Sequence, residues 1–169
     1  MLKLMWTLLL LMTAVATDVT SGRVSNRLIG LGMVTGIYFQ IWESGIRGLF
    51  LSVIQIILPV IVLFLLFLMR ALGAGDIKLF SMIGSIWNLE ITFYCIIFSF
   101  LAGAVFSLTK LLYQKNLFAR LRYFCHYIQL CCLNKSILLY NRHSDGKQNT
   151  IYFSISILIG FCITMGVIH

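Results

Sequence analysis

Runs of apolar residues, separated by short polar stretches, recur along the whole chain. Three runs are free of charged residues for 19 to 22 positions, enough for an α-helix to cross about 30 Å of hydrocarbon. Three others have only 11 to 15 positions and need flanking polar residues to complete a span. The six runs comprise residues 4–17, 28–42, 48–69, 79–89, 91–109 and 148–169. The pattern predicts an all-α, polytopic membrane bundle of six transmembrane helices.

The composition agrees with a membrane protein and excludes an ordinary soluble domain. Apolar residues make up 60% and charged residues 11% of the 169 positions, against about 45–50% and about 25% in soluble proteins. The five cysteines form no CxxC pair, so neither a disulfide scaffold nor a zinc ribbon is indicated. Since Cys125, His126, Cys131 and Cys132 match no zinc-ligand spacing, we predict neither a metal site nor a cofactor.

The basic residues fall almost entirely on one side of the predicted membrane. Lysine and arginine outnumber the acids by 13 to 5, and 11 of the 13 lie in residues 18–27, 70–78 and 110–147. An excess of Lys and Arg marks the cytoplasmic face, so both termini are expected on the outer side. Two rival interpretations, a cleaved signal peptide ending near Ala16 and a re-entrant segment at 79–89, would each invert this rule. We therefore predict one membrane-embedded domain over residues 1–169.

The segment at about 110–147 mixes basic and aromatic residues, as do proteins that bind single-stranded nucleic acid. Predicted spans flank it on both sides, and Leu121, Phe124 and Ile128 recur at helical spacing. We interpret it as a cytoplasmic, basic amphipathic segment that lies on the anionic inner leaflet. The bilayer is therefore an expected partner, and nucleic acid is not.

Small residues recur within the predicted spans. Gly32 and Gly36 lie four positions apart in the second run, and residues 102–104 in the fifth run read Ala-Gly-Ala. Such residues let two membrane helices approach closely, and we interpret them as packing positions.

Two of the five acidic residues adjoin predicted spans on the cytoplasmic side. Asp18 lies at the C-terminal end of the first span and Asp76 at the N-terminal end of the fourth, whereas Glu43 and Glu90 fall in short outer turns. The six-span topology brings Asp18 and Asp76 to the same depth. A carboxylate there is costly unless it has a partner or a function, although an interfacial charge solvated by headgroups is the simpler alternative.

The residues around Asp76 sharpen the functional hypothesis. Gly73 and Gly75 permit unusual backbone angles and close approach, while Asp76 and Lys78 place an acid and a base at the start of a helix. A phosphate loop is excluded because no strand precedes the run and no Gly-Lys-Ser/Thr follows it. Two neighbouring carboxyl groups tend to share one proton, so that one can activate a water molecule and the other can protonate a carbonyl oxygen.

At these residues the chain resembles the type IV prepilin peptidases, which are membrane aspartic proteases of the GxGD type. It resembles most their short branch, which serves Flp or tight-adherence pili. The matching segments are residues 18–28 (DVTSGRVSNRL), 73–79 (GAGDIKL) and 151–157 (IYFSISI). The usual Arg-Ile-Pro-Asn of the family stands here as Arg23-Val24-Ser25-Asn26, without the proline.

The resemblance implies an aspartic endopeptidase of the bacterial cytoplasmic membrane, with both termini in the periplasm. It would cleave the leader peptide from prepilin or pseudopilin precursors at the cytoplasmic face. Asp18 and Asp76 match the two catalytic positions. Gly73, Gly75, Lys78, Arg23 and Asn26 match motif positions that support the cleft. The inserted domain with paired CxxC motifs found in larger members has no counterpart, so N-methyltransferase activity is not expected.

A second interpretation from a different functional class stays open at this point. Two acids in a small membrane protein can also line a proton or ion path, in a non-enzymatic subunit or an ion-translocating component of a pilus or secretion system. An inactive relative that binds pilins without cutting them is a third possibility. Substitution of Asp18 or Asp76 by asparagine separates the first two, because only a peptidase then stops shortening its substrate.

Overall fold

The computed structural model of the chain describes residues 1–69, 71–113 and 153–168. Every regular element within these residues is an α-helix, so the predicted all-α class is confirmed there. The six helices are α1 (Leu2–Ser21), α2 (Asn26–Ser44), α3 (Ile46–Leu68), α4 (Ala74–Ile86), α5 (Leu89–Tyr113) and α6 (Phe153–Ile168). Most of the segment at 110–147, with Cys125, His126, Cys131 and Cys132, lies outside the described residues, as does Arg70.

Three of these helices are long and apolar enough to cross a membrane. They occupy Leu2–Ser21, Ile46–Leu68 and Leu89–Lys110, and the apolar helix Phe153–Ile168 is shorter. Large apolar side chains cover their outer surfaces; Ile61 and Leu65 on α3, for example, are 68% and 66% exposed. Such a surface is suited to lipid rather than water, which supports a membrane protein.

Helix α4 lies at the centre of a compact unit formed by residues 1–103 and the C-terminal helix. Residues 79–86 are buried on every side of α4, and this helix packs chiefly against α2 and α3. Helix α1 packs mainly against α6. The remaining unit, residues 104–151, is represented among the described residues only by the last turns of α5.

The glycines of α2 allow its close contact with α4. A Cβ atom at Gly32 would overlap the side chain of Met82, and one at Gly36 would lie 2.7 Å from the carbonyl carbon of Ser85 and 2.9 Å from the nitrogen of Ile86. A larger residue at Gly36 would therefore push α2 and α4 apart, whereas one at Gly32 would displace the flexible end of the Met82 side chain. The packing role predicted for Gly32 and Gly36 is thus confirmed.

Helix α4 is too short to cross a bilayer by itself, and two buried side-chain amides bond to the backbone groups at its C-terminal end. Its 13 residues extend about 20 Å. Just beyond it, Gln40 Nε2 donates to the carbonyl oxygen of Trp87 at 3.3 Å. With its amide nitrogen turned inward, Gln55 donates to the carbonyl oxygens of Gly84 and Trp87 at 3.1 and 3.2 Å. Backbone groups released inside an apolar bundle need such partners.

The ends of the predicted fourth span are corrected by the structure. We expected an apolar run at 79–89, but α4 begins at Ala74 and ends at Ile86. The side chain of Asn88 accepts a hydrogen bond from the Ile91 N–H at 3.0 Å and thereby caps α5. Glu90 consequently lies in the first turn of α5, and not in a turn between helices.

Side-chain contacts fix the relative directions of α1, α2, α4 and α6. At one end, which we call the Lys3 end, Lys3 Nζ and Glu43 Oε2 form an ion pair of 2.6 Å. Glu43, expected in a turn, is part of α2. At the opposite end, which we call the Asp18 end, the last turn of α1 meets the start of α6. The N-termini of α2 and α4 also meet there.

Candidate active site

Asp18 occupies a core-facing position of α1 that an apolar residue would ordinarily fill. The buried residues Thr7, Leu11 and Ala14 define one stripe of the helix at spacings of three and four, and Asp18 continues that stripe one turn further. Its side chain is only partly exposed. The carboxyl group therefore points toward α4 and α6 and not toward the lipid-facing side of α1.

The side chain of Ser154 on α6 is the hydrogen-bond partner of this carboxyl group. Ser154 Oγ donates to Asp18 Oδ2 at 2.6 Å, and the serine is 1% exposed. The hydrogen bond is short, and its donor is shielded from water. The contact joins residues that are 136 positions apart in sequence, and it holds the C-terminal helix against the last turn of α1.

Asp76 lies in the first turn of α4, where its carboxyl group caps the helix. The Gly73 N–H donates to Asp76 Oδ2 at 3.2 Å, and Gly73 itself has extended backbone angles, φ −79° and ψ 149°. A Cβ atom at Gly73 would lie 3.1 Å from the same carboxyl oxygen. Gly73 therefore leaves room for the Asp76 carboxyl group, which agrees with the close approach expected at this glycine.

The two carboxyl groups influence each other electrostatically. Asp76 precedes the apolar part of α4 that starts at Leu79, and burial of its carboxyl group raises its pKa to about 6, against the lowering effect of the Gly73 hydrogen bond. The negative charge of Asp18 raises the pKa of Asp76 further. The two acids therefore lie at the same end of the bundle and within electrostatic range of each other.

The loop between α1 and α2 packs against the start of α4. Gly22 adopts φ 64° to end α1, a conformation that favours glycine, and the chain then turns back toward α2. Lys78 Nζ donates to Asn26 Oδ1 at 2.9 Å. The side chain of Val24 lies 3.6 Å from the position of a Cβ atom on Gly75. These contacts bring together Asn26, Gly75 and Lys78, three residues that the sequence singled out.

The backbone of the motif glycines needs a correction. Gly73 and Gly75 do not use unusual backbone angles, because positive φ values occur, among the described glycines, only at Gly22 and Gly45. The supporting roles of Lys78 and Arg23 stay predictions. Arg23 is exposed and contacts neither acid through a hydrogen bond or ion pair within the part of the chain that the structure describes.

Ser154 is the residue of this site that sequence reasoning missed. It lies in the segment 151–157 that contributed to the family resemblance, but no role was assigned to it. The available signal was a hydroxyl residue at the start of an otherwise apolar helix, on the side of the membrane where both acids were expected. Which acid it contacts depends on how α6 packs, and that is not readable from periodicity.

Comparison with known proteins gives one match. The model of the type IV leader peptidase family matches residues 5–108, which is more than half of the chain. The match includes most of α1, all of α2 to α4 and most of α5. The matched range contains both Asp18 and Asp76 but ends before α6. Neither a curated protein nor a solved structure matches the chain.

Proposed function

We propose that this chain, which belongs to the type IV leader peptidase family, is a membrane aspartic endopeptidase that removes the leader peptide from Flp-like prepilins. Family membership supports a protease, and the apolar helices support a membrane location. The finer assignments, namely the catalytic pair, the substrate and the orientation, are our proposals.

The observation that carries this proposal is the interaction between Asp18 and Asp76. The two acids come from different helices, α1 and α4, and the charge of Asp18 raises the pKa of Asp76. A lone interfacial carboxylate solvated by headgroups has no need of a second carboxylate beside it, and repulsion between the two costs stability. Such a costly arrangement is typical of a functional site.

Hydrolysis would proceed by exchange of protons between the two carboxyl groups and the substrate. One aspartate removes a proton from water, and the resulting hydroxide attacks the carbonyl carbon of the scissile peptide bond while the other aspartate protonates its oxygen. When the tetrahedral intermediate breaks its C–N bond, the first aspartate returns its proton to the departing amine. As the C=O bond re-forms, the second aspartate recovers a proton from a hydroxyl of the intermediate, which leaves the new carboxylic acid. One water is consumed, and both aspartates return to their starting states.

The charge distribution supports cleavage at the cytoplasmic face of a bacterial inner membrane. Asp18 and Asp76 lie at the same end of the bundle as Arg23, Arg27 and Lys78, in segments where the basic residues concentrate. We propose that all six helices cross the bilayer and that both termini face the periplasm. The short α4 can do so because other helices surround it and buried amides satisfy its end.

The proposed activity is limited to peptide-bond cleavage. Only residues 22–25 separate α1 from α2, which leaves no room there for the inserted domain that carries methylation in larger members of the family. We therefore propose no N-methyltransferase activity, and the reaction as written uses neither metal nor cofactor.

Co-expression with candidate prepilins tests the proposal. Small precursors with a basic leader before an apolar stretch are produced together with the wild-type protein, Asp18→Asn, Asp76→Asn or Glu90→Gln, and their sizes are compared on gels. Glu90 is an exposed carboxylate in the first turn of α5, so Glu90→Gln is a matched control for the loss of a charge. Wild type and Glu90→Gln should shorten a precursor, and each aspartate variant should lower the rate at least about 100-fold.

Two results would contradict the assignment. The first is that no precursor is shortened by the wild type although a reference prepilin peptidase processes the same set. The second is that Asp18→Asn or Asp76→Asn, present in the membrane at the wild-type level, still shortens the substrate. Altered proton or ion flux with unchanged pilin length would instead support the translocating subunit.

A further inference from the structure

We propose that Ser154 is a positioning residue that holds Asp18 as the ionised, proton-accepting member of the pair and leaves Asp76 as the proton donor. This inference rests on the proposed peptidase function and deepens it, because it assigns each carboxyl group its step. It also gives the C-terminal helix, which lies outside the family match at 5–108, a part in the active site.

The geometry of the hydrogen bond is the first argument. Ser154 Oγ donates to Asp18 Oδ2 at 2.6 Å and is 1% exposed. A buried hydroxyl that donates to a carboxyl oxygen stabilises the charged form of that carboxyl. Because the serine is shielded from water, no solvent molecule competes for this donor at the Ser154 side of the bond.

The contrast between the two acids is the second argument. Asp18 receives a side-chain hydroxyl donor at 2.6 Å, whereas Asp76 receives a longer backbone bond of 3.2 Å from Gly73. When one proton is shared by two carboxyl groups, it resides on the group whose ionised form is less well stabilised. The proton therefore belongs on Asp76.

The charged groups on the helices around Asp18 do not reverse this assignment. Helix α6 carries no charged side chain over Phe153–Ile168. On α4, Asp76 is the interacting acid, and the Lys78 ammonium donates to Asn26. Arg27 on α2 and Arg23 in the preceding loop are exposed.

The assignment gives a definite order of proton transfers. Ionised Asp18 removes the proton from water, and protonated Asp76 gives its proton to the carbonyl oxygen. As the C–N bond breaks, Asp18 protonates the amine, and Asp76 takes a proton back from a hydroxyl of the intermediate. The resting state of ionised Asp18 and protonated Asp76 is restored without any other proton donor.

Serine variants and a pH profile test this inference. We would measure kcat and KM for a prepilin peptide from pH 4 to 8 with the wild type, Ser154→Ala and Ser156→Ala. Ser156 is the matched control, because its Oγ is equally buried on α6 but has no hydrogen-bond partner among the described residues. Loss of the Ser154 hydroxyl should move the acid limb of the kcat profile to higher pH by about one unit. At any pH on that limb, kcat of Ser154→Ala should then be about tenfold below the wild-type value. KM and the Ser156→Ala profile should stay unchanged.

A pair of nearly isosteric variants protects the test against a folding defect. Ser154→Thr keeps the hydroxyl and should restore the wild-type acid limb, whereas Ser154→Val lacks the hydroxyl and should behave as Ser154→Ala. If Thr and Val variants share one acid limb, or if Ser154→Ala matches Ser156→Ala, the assignment is wrong even though the wild type cleaves. If the wild type cleaves no prepilin peptide, the proposed function itself is wrong.

Discussion

Replacement of Asp76 by asparagine should stabilise the protein at neutral pH while it removes activity. Burial and the charge of Asp18 raise the pKa of the Asp76 carboxyl from 3.8 to about 6, so ionisation of this group opposes folding. Asparagine keeps an oxygen that can accept the Gly73 N–H but carries no charge. The substitution therefore removes the electrostatic cost and keeps the helix cap.

The size and the sign of the effect follow from that pKa. An unfolded aspartate ionises above pH 3.8 and the folded one only above about 6, so the contribution of Asp76 to the free energy of unfolding is fully present below pH 3.8. It is lost as the pH rises through 6. The full shift corresponds to about 3 kcal/mol, and screening at a partly exposed group reduces this to about 2 kcal/mol. For a chain of this length, that is roughly 4 to 8 °C in the unfolding midpoint.

Thermal unfolding of the purified protein in detergent measures this difference. The three tryptophans report unfolding by fluorescence between pH 3 and pH 8. We expect nearly equal midpoints for wild type and Asp76→Asn near pH 3, where the Asp76 carboxyl is protonated in both the folded and the unfolded chain, and a gap that opens to roughly 4 to 8 °C by pH 8. Glu90→Gln removes an exposed charge and should show no such widening. A gap that is constant with pH, or an Asp76→Asn protein less stable than wild type at pH 8, would refute the reasoning.

Three further predictions concern packing, the loop contact and catalysis. Gly36→Leu should destabilise the bundle by about 1–3 kcal/mol or more, because a side chain there meets the backbone of α4. Gly30→Leu, where the space is open, should not. The unfolding midpoints of the two variants, measured side by side, check this. Lys78→Met and Asn26→Ala should each lower the free energy of unfolding by about 0.5–1.5 kcal/mol. In a double-mutant cycle the double variant should lose no more stability than either single variant, because both substitutions break the same 2.9 Å hydrogen bond. Additive losses would contradict this. Because Asp76 is the proposed acid with a pKa of about 6, kcat/KM should fall about tenfold per pH unit above that value, and a rate that keeps rising to pH 8 would exclude it as the proton donor.

The acids of the site could be found from the sequence because charge is so rare in this chain. Asp18 and Asp76 stand out where apolar spans meet basic segments. The topology inferred from the distribution of charge predicts that both lie at the same depth in the membrane. Helix α4 shows where such reasoning ends. Its run of apolar residues predicts a span at 79–89, but Asn88 caps the next helix and ends α4 early.

Contacts between distant side chains were beyond prediction, for a physical reason. Hydroxyl and amide groups within apolar helices must find partners inside the bundle, but the choice of partner depends on how the helices rotate and cross. The hydroxyls of Ser81 and Thr164 bond instead to carbonyl oxygens of their own helices, those of Ile77 and Gly160. Gln40 and Gln55 gave no signal in the pattern of charges, yet their amides complete the buried end of α4.

The most direct test of the account is an infrared titration of the Asp76 carboxyl group in wild type and Asp18→Asn. The C=O stretch of a protonated carboxyl that disappears in Asp76→Asn belongs to Asp76, and its intensity is followed against pH. The account predicts a pKa of about 6 in the wild type and a lower pKa once the negative charge of Asp18 is removed. An Asp76 pKa that is the same with and without the Asp18 charge would show that the two acids do not form one site.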